Sequence, residues 1–175
     1  MNLRKLDDLV QIRKATLQDV HQLSSMIRLG FRDVAERFGL TPDNCPNHPS
    51  NCTERWIEED LGRGVVYYIL ERSRVPTGCV ALECAENGTF YLERLTVLPE
   101  ARRRSFGKTL VDHAFMEAKA LGAERIDIGI IAEHIELKNW YEKMGFVETE
   151  TRKFENLPFL VTLLTYDLVK AERPS

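Results

Sequence analysis

The sequence predicts an α/β fold built on a mixed central sheet, mostly antiparallel with one parallel crossover, and helices on both faces. Three observations predict it. The runs "VVYYILE", "TGCVALEC" and "TFYLERLTV" are rich in β-branched and aromatic residues and follow one another closely, as in an antiparallel meander. A helical stretch from about Ser105 to Leu121 separates the third run from a fourth, "RIDIGII", and a strand–helix–strand order calls for parallel pairing. Helical segments both precede the meander and follow the crossover, enough to cover two faces.

Each element has its own signals. "QIRKA", between Val10 and Ala15, reads as a short strand. Thr16 is placed to cap a helix running toward Leu29, with Asp19 completing an imperfect capping box. A second helical stretch, "FRDVAERFG", stops at Gly39. Residues 40–51 hold three prolines, three asparagines and one Asp, a loop composition. Thr53 caps the next helix, "ERWIEEDLG", which ends at Gly62. Gly78 and the pair Asn87–Gly88 punctuate the meander, and Asn-Gly is a hairpin signal. In the crossover helix Phe106, Leu110, Ala114, Ala118 and Leu121 recur on one face, and Gly122 closes it. "IELKNWYEKM" forms the last helix, stopped by Gly145. Two strands finish the fold, near Phe146 to Phe154 and Phe159 to Asp167.

The 175 residues suffice for one domain with a sizeable core and no need of disulfides or metal. Hydrophobic residues make up 43% and charged residues 29%, with a net charge of -3, which argues against a general nucleic-acid binder. No apolar run reaches the roughly 20 residues that span a bilayer. The start "MNLRKLDDLVQIRK" carries acids where a secretory signal would be apolar, so the protein reads as cytoplasmic, with no membrane partner. Open strand edges are compatible with a homodimer.

The stretch "ARRRSFGKTL" carries the chemistry. Pro99 stops a strand, a turn follows, and a helix begins near Ser105. Backbone N–H groups at a helix start lack intrahelical partners, and the helix dipole adds positive charge. Arg102, Arg103 and Arg104 add cationic side chains, and Gly107 lets a ligand approach the backbone. The composite suits a phosphate or pyrophosphate; a solvated basic turn is the alternative reading. With Gly107 its only glycine, the turn is neither a Walker loop nor a dinucleotide fingerprint.

"LTVLPEARRRSFGKTL" resembles the acetyl-CoA signature of GNAT-type N-acetyltransferases, a strand ending in Val-x-Pro, then Arg-x-x-Gly-x-Gly, then a helix. Arg102 takes the Arg/Gln position and Gly107 the last glycine, while Ser105 stands where the first glycine is usual. "NWYEKMGF" resembles the family's Leu-Tyr-Glu-Lys-Leu-Gly-Phe helix end, with His134 where Asn is frequent and Leu137 where Ala is common. The resemblance implies a GNAT-like fold over residues 1–175 as a single acetyltransferase domain, core about 11–168. It also implies acetyl-CoA as co-substrate with no metal. The activity it implies is transfer of the acetyl group to a primary amine, on a small molecule or a peptide, by direct attack in a ternary complex.

What the resemblance implies for the site follows. A splayed gap beside Leu95, Thr96 and Val97 would take the pantetheine arm, with the Val97 N–H polarising the thioester carbonyl. Residues from Arg102 through Lys108, with Phe106 and Thr109, would hold the pyrophosphate, and His134 would border the cofactor. Tyr141 matches the family tyrosine that donates a proton to the departing thiolate. A phenol stays protonated at neutral pH, although a core aromatic beside Trp140 and Phe146 is the structural alternative.

For the base, the position of a frequent family Glu is Gly129 here, and Glu93 is preferred. Strict alternation puts Tyr91, Glu93, Leu95 and Val97 on one face, where an apolar setting would raise the carboxyl pKa and let it act through water. Pairing with an arginine such as Arg94, or simple solvation, is the competing role. His48 and His134 rank below it. In this fold the acceptor pocket falls to Phe31, His48, Trp56 and Phe159, with Asp33 and Glu36 also available to a cationic amine. A catalytically idle acyl-CoA-binding sensor and a metal or redox loop centred on Cys45, His48 and Cys52 are the rival readings.

Overall fold

The structure, a computed structural model, describes residues 9–170. The first eight residues of the N-terminal stretch examined for a signal therefore lie outside the described residues. No helix among the described residues is long and apolar enough to cross a membrane.

Seven strands form one sheet: β1 (Val10–Lys14), β2 (Val66–Arg72), β3 (Val75–Cys84), β4 (Thr89–Val97), β5 (Arg125–Ile131), β6 (Val147–Lys153) and β7 (Leu160–Asp167). Their order across the sheet is β1-β2-β3-β4-β5-β7-β6. Every neighbouring pair is antiparallel except β4 and β5, as the crossover demands. Four helices cover it: α1 (Val20–Phe38), α2 (Glu54–Gly62), α3 (Phe106–Ala120) and α4 (Ile135–Lys143). On one face Leu23, Ile27 and Ile57 of α1 and α2 pack on Tyr67, Ile69, Cys79 and Ala81. On the other, Leu110, Ala114 and Ala118 of α3 and Tyr141 of α4 pack on Leu70, Val80, Leu82 and Ile126. The central strands β2 and β3 are thus apolar on both sides, which explains their unbroken hydrophobic runs.

The caps act as the sequence expects. Thr16 and Asp19 form a capping box over a short 3-10 turn before α1, and Arg13 grips the Asp19 carboxylate at 2.7 Å. Thr53 accepts from the Trp56 N–H, and Gly39 ends α1 in the left-handed region.

Three expectations need correction. The two early helical stretches are one continuous α1. Gly30 does not break the helix; it lies where α1 crosses β4, and a Cβ there would sit 2.2 Å from Thr96 Cγ2. Gly78 lies inside β3 because a Cβ would meet the Thr96 carbonyl at 2.6 Å. The turn it was expected to mark is Ser73–Arg74, both at positive φ without a glycine or asparagine. Leu121, placed on the buried face of α3, is 59% exposed because the helix has already ended at Ala120.

Candidate active site

The parallel pairing of β4 with β5 covers only Thr89, Phe90 and Tyr91; beyond Tyr91 the strands part. The cause lies partly within β4. Cys79 opposes Thr96 and Ala81 opposes Glu93, so three steps of β4 match two of β3, and Arg94 at φ 53 absorbs the extra residue. Such a bulge bends a strand and increases its twist.

The bulge also overturns the expected alternation. Glu93 shares the face of its partner Ala81, toward α1 and α2. Leu95 and Val97 face the opposite way and pack with the α3–α4 cluster. Below the bulge Leu98 N–H donates to the Thr77 carbonyl on β3. Backbone groups alternate along a strand, so the Val97 N–H points into the gap.

Two clefts occupy that gap. The outer one, about 700 Å³, is lined by Thr96, Val97, Arg102, Arg103, Ser105 to Lys108 and Trp140. The inner one, about 470 Å³, brings together Glu93, Tyr141, Phe31, His48, Trp56 and Phe159. Phe31, Val34, Leu95, His134 and Leu137 line both, so the two are continuous.

In the outer cleft the arginines have different roles. Arg102 is fully engaged: it pairs with Asp33 at 2.5 Å and donates to the Gly30 carbonyl at 2.8 Å and the Val97 carbonyl at 3.1 Å. It ties α1 to the end of β4 rather than standing free. Burial opposes ionisation of Asp33, yet the Arg102 guanidinium holds its carboxyl below the usual range. Arg103 lines the cleft and, among the described residues, pairs with no acid. Arg104 and Thr109 stand outside the lining; Thr109 donates to the Ser105 carbonyl at 3.0 Å. Lys108 lines the cleft but pairs with Asp112 at 2.6 Å.

The turn itself is shaped by backbone conformation. Arg103 and Ser105 both sit at φ 62, and Ser105 caps α3 without a side-chain hydrogen bond. A left-handed residue is where glycine is favoured, which accounts for the glycine of the resembling motif at the Ser105 position. Gly107 has a different reason for being small: a Cβ would come within 3.3 Å of the Trp140 ring. Sequence reasoning gave Trp140 no role in the site; its contact with Gly107, three residues after Arg104, was not visible from spacing.

In the inner cleft Tyr141 is buried between Trp140 and Phe146, edge-on to both at 4.9 and 5.3 Å. Burial pushes its phenol well up, and among the described residues no protein group accepts from its hydroxyl. Tyr141 is thus a core aromatic that also lines the inner cleft. Burial also raises the Glu93 carboxyl, and no protein hydrogen bond or ion pair engages it among the described residues. The suggested Glu93–Arg94 pair does not form. Arg94 instead meets Asp60 at 2.5 Å and the Tyr67 hydroxyl at 2.7 Å, and stacks on Trp56 at 4.5 Å.

Desolvation lowers the pKa of His48 and His134 below the ordinary imidazole value, which leaves both neutral near pH 7. His48 also bonds Ser50 Oγ at 2.8 Å. Asp33 and Glu36 are absent from the inner lining: the first is held by Arg102 and the second faces a separate hollow beside Arg28 and Arg32. Cys45 packs with Ala35, Leu40 and Ile131, whereas Cys52 belongs to the α1–α2 core. Burial raises both thiols, Cys52 to about 11. Thiols split between two cores and kept protonated are poorly suited to bind metal or to pair, and among the described residues no three His, Cys, Asp or Glu converge.

Residues 63–148 match the family model described as an acetyltransferase (GNAT) domain. No curated protein matches the chain in sequence. The fold is similar to the paia N-acetyltransferase of Thermoplasma acidophilum, solved in complex with coenzyme A. That likeness has a TM-score of 0.76 at 15% identity, covering 91% of this chain and 99% of that one. It is similar too to the ribosomal-protein-S18-alanine N-acetyltransferase of Escherichia coli, with TM-score 0.71, 13% identity and coverage of 91% and 94%. A third likeness is to yncA of Salmonella typhimurium with its cofactor acetyl-CoA, at TM-score 0.66, 18% identity and coverage of 95% and 98%.

Proposed function

We propose, from the match of residues 63–148 to the acetyltransferase (GNAT) domain model and from the fold shared with solved N-acetyltransferases, that this chain is a GNAT acetyltransferase that transfers the acetyl group of acetyl-CoA to a primary amine by direct attack in a ternary complex. One observation carries the reading. The sheet opens between β4 and β5 beyond Tyr91, and the opening joins a basic, helix-initiating turn to a cleft holding a carboxylate and a phenol that have no partner among the described residues.

The outer cleft takes the coenzyme. Its pyrophosphate lies at the start of α3, where free N–H groups and Arg103 supply the positive field, Lys108 being balanced by Asp112. Arg102 acts by holding the wall rather than as a mobile clamp. The pantetheine arm runs along the open side of β4, and the Val97 N–H donates to the oxyanion that develops on the thioester carbonyl.

The inner cleft takes the amine. An alkylammonium enters protonated, and Glu93 removes one proton, through water, to leave a neutral nucleophile. The nitrogen attacks the carbonyl carbon, the C–N bond forms and the C–S bond breaks. Tyr141 gives its proton to the departing thiolate and recovers one from solvent, while the nitrogen sheds its second proton. The sum is one amide, one thiol and one proton released per turnover.

Calorimetry with acetyl-CoA and thiol release with an amine panel test this. Saturable binding with amine-dependent thiol release is expected. Binding without release to any amine would favour the idle sensor, and no saturable binding would remove the reading altogether.

A further inference from the structure

The inner cleft has a charge pattern that restricts its acceptor, and the restriction rests on the acetyl-transfer reading above. Its walls are aromatic and aliphatic: Phe31 from α1, Trp56 from α2, Phe159 before β7, and Ile130 and Val161 from the two strands beyond the gap. Its volume, about 470 Å³, falls in the range of small-molecule sites. The lining contains one carboxylate, Glu93, and it has no partner among the described residues.

The lining's single guanidinium is already committed. Arg94 is 9% exposed at its side chain and bound to Asp60, which is 2% exposed. Arg63 pairs with the other Asp60 oxygen at 2.6 Å and with Glu83 at 2.8 Å, so this group of four charges is balanced within itself. His48 and His134 are kept uncharged by burial. Arg102 and Asp33 cancel each other in the outer cleft. The inner cleft therefore offers one uncompensated charge, and it is negative.

We propose that the acceptor is a hydrophobic monoamine: one primary ammonium on an aromatic or branched aliphatic body with no other charge, its nitrogen at Glu93 and its body against Trp56, Phe31 and Phe159. An α-amino acid brings a carboxylate that finds no free cation here and is repelled by Glu93. A polyamine brings a second ammonium that must lie on apolar wall without a second acid. In either case a charge is desolvated without a partner, the costly arrangement for any buried ion. The monoamine leaves nothing unpaired.

The test is a comparison of kcat/KM at saturating acetyl-CoA for phenethylamine, tryptamine, phenylalanine, tryptophan, spermidine and a short peptide with a free N-terminus. Phenethylamine or tryptamine is expected to exceed each of the others at least about tenfold, the scale on which a pocket discriminates by a mismatched group. A variant sharpens it. Phe159→Asp supplies a second carboxylate and is expected to narrow the gap between phenethylamine and spermidine by about tenfold or more, a change that mere loosening of the fold would not produce. Turnover that favours spermidine, an amino acid or the peptide overturns the monoamine assignment and leaves acetyl transfer standing. Acetyl-CoA binding without turnover of any amine, or no binding in calorimetry, overturns both.

Discussion

The polar wall of the outer cleft comes mainly from one continuous stretch, Leu95 to Lys108, whereas the inner cleft is assembled from α1, the 47–49 loop, α2, β4, β5, α4 and residues 157–161. Two arginines express the difference. Arg102, in the continuous stretch, makes its ion pair at a surface where the partners are 36% and 58% exposed. Arg94 makes its pair where they are 9% and 2% exposed, with a phenol and an indole closing around it. The outer wall thus depends on backbone shape, with side chains that solvent can replace. The inner wall depends on a buried charge balance that solvent cannot repair.

The largest effects are expected at the residues proposed for chemistry in the inner cleft and at those that hold its charges. Tyr141→Phe keeps the ring contacts with Trp140 and Phe146 but removes the proton donor. It should lower kcat about 10²–10⁴-fold while acetyl-CoA affinity stays within a few-fold. Equal losses in both would make Tyr141 a packing residue. Close behind, Arg94→Ala leaves the buried Asp60 with only Arg63 and the Tyr67 hydroxyl and should cost about 1.5–3 kcal/mol in urea unfolding. Arg102→Ala, at an exposed pair, should cost about 1 kcal/mol. Similar losses for the two would mean that the inner and outer walls do not differ in how they hold their charges.

The same contrast decides what could be read from the sequence. The order of elements along the chain, the crossover, the Thr16 and Thr53 caps and the turn after Pro99 all follow from neighbours within a few residues, and the structure contains them. The resemblance supplied the gap beside Val97, which the structure has, and Tyr141 as the proposed acid. What stayed hidden involves partners far apart along the chain. Nothing local shows that Gly30 must clear Thr96, that Trp140 leans on Gly107, or that Arg94 would choose Asp60 over its neighbour Glu93. The bulge at Arg94 was equally invisible, and it alone defeats the period-two alternation of β4. Glu93 was reached by an alternation that the fold does not keep, yet it lies in the inner cleft because the bulge opens the sheet beside it.

As the proposed base, Glu93 would join stability to chemistry. Burial raises its carboxyl pKa in the folded state, so the fold binds that proton more tightly than the unfolded chain does. Its favourable contribution is complete below the unfolded carboxyl value, about 4.3, and is lost as pH rises through the higher folded value. Above that, an ionised and partly buried carboxylate is a standing cost. Glu93→Gln should therefore melt higher than the parent at pH 8, with the difference closing near pH 4. The same change should abolish the acidic limb of the pH–rate profile, and an unchanged profile would place the base elsewhere.

The smallest effect belongs to the outer turn and tests whether it is shaped by backbone alone. Ser105 sits at φ 62 and its hydroxyl makes no capping bond. A left-handed residue with a Cβ costs about 1–2 kcal/mol, while glycine loses roughly 0.5–1 kcal/mol more chain entropy on folding. The two terms leave Ser105→Gly more stable by about 0.5 kcal/mol, a gain readable in paired urea melts. Removing the Cβ also widens the space before α3, so acetyl-CoA should bind at least as tightly. A destabilised variant with weaker binding would mean that the serine side chain, and not the path of the backbone, sets the turn.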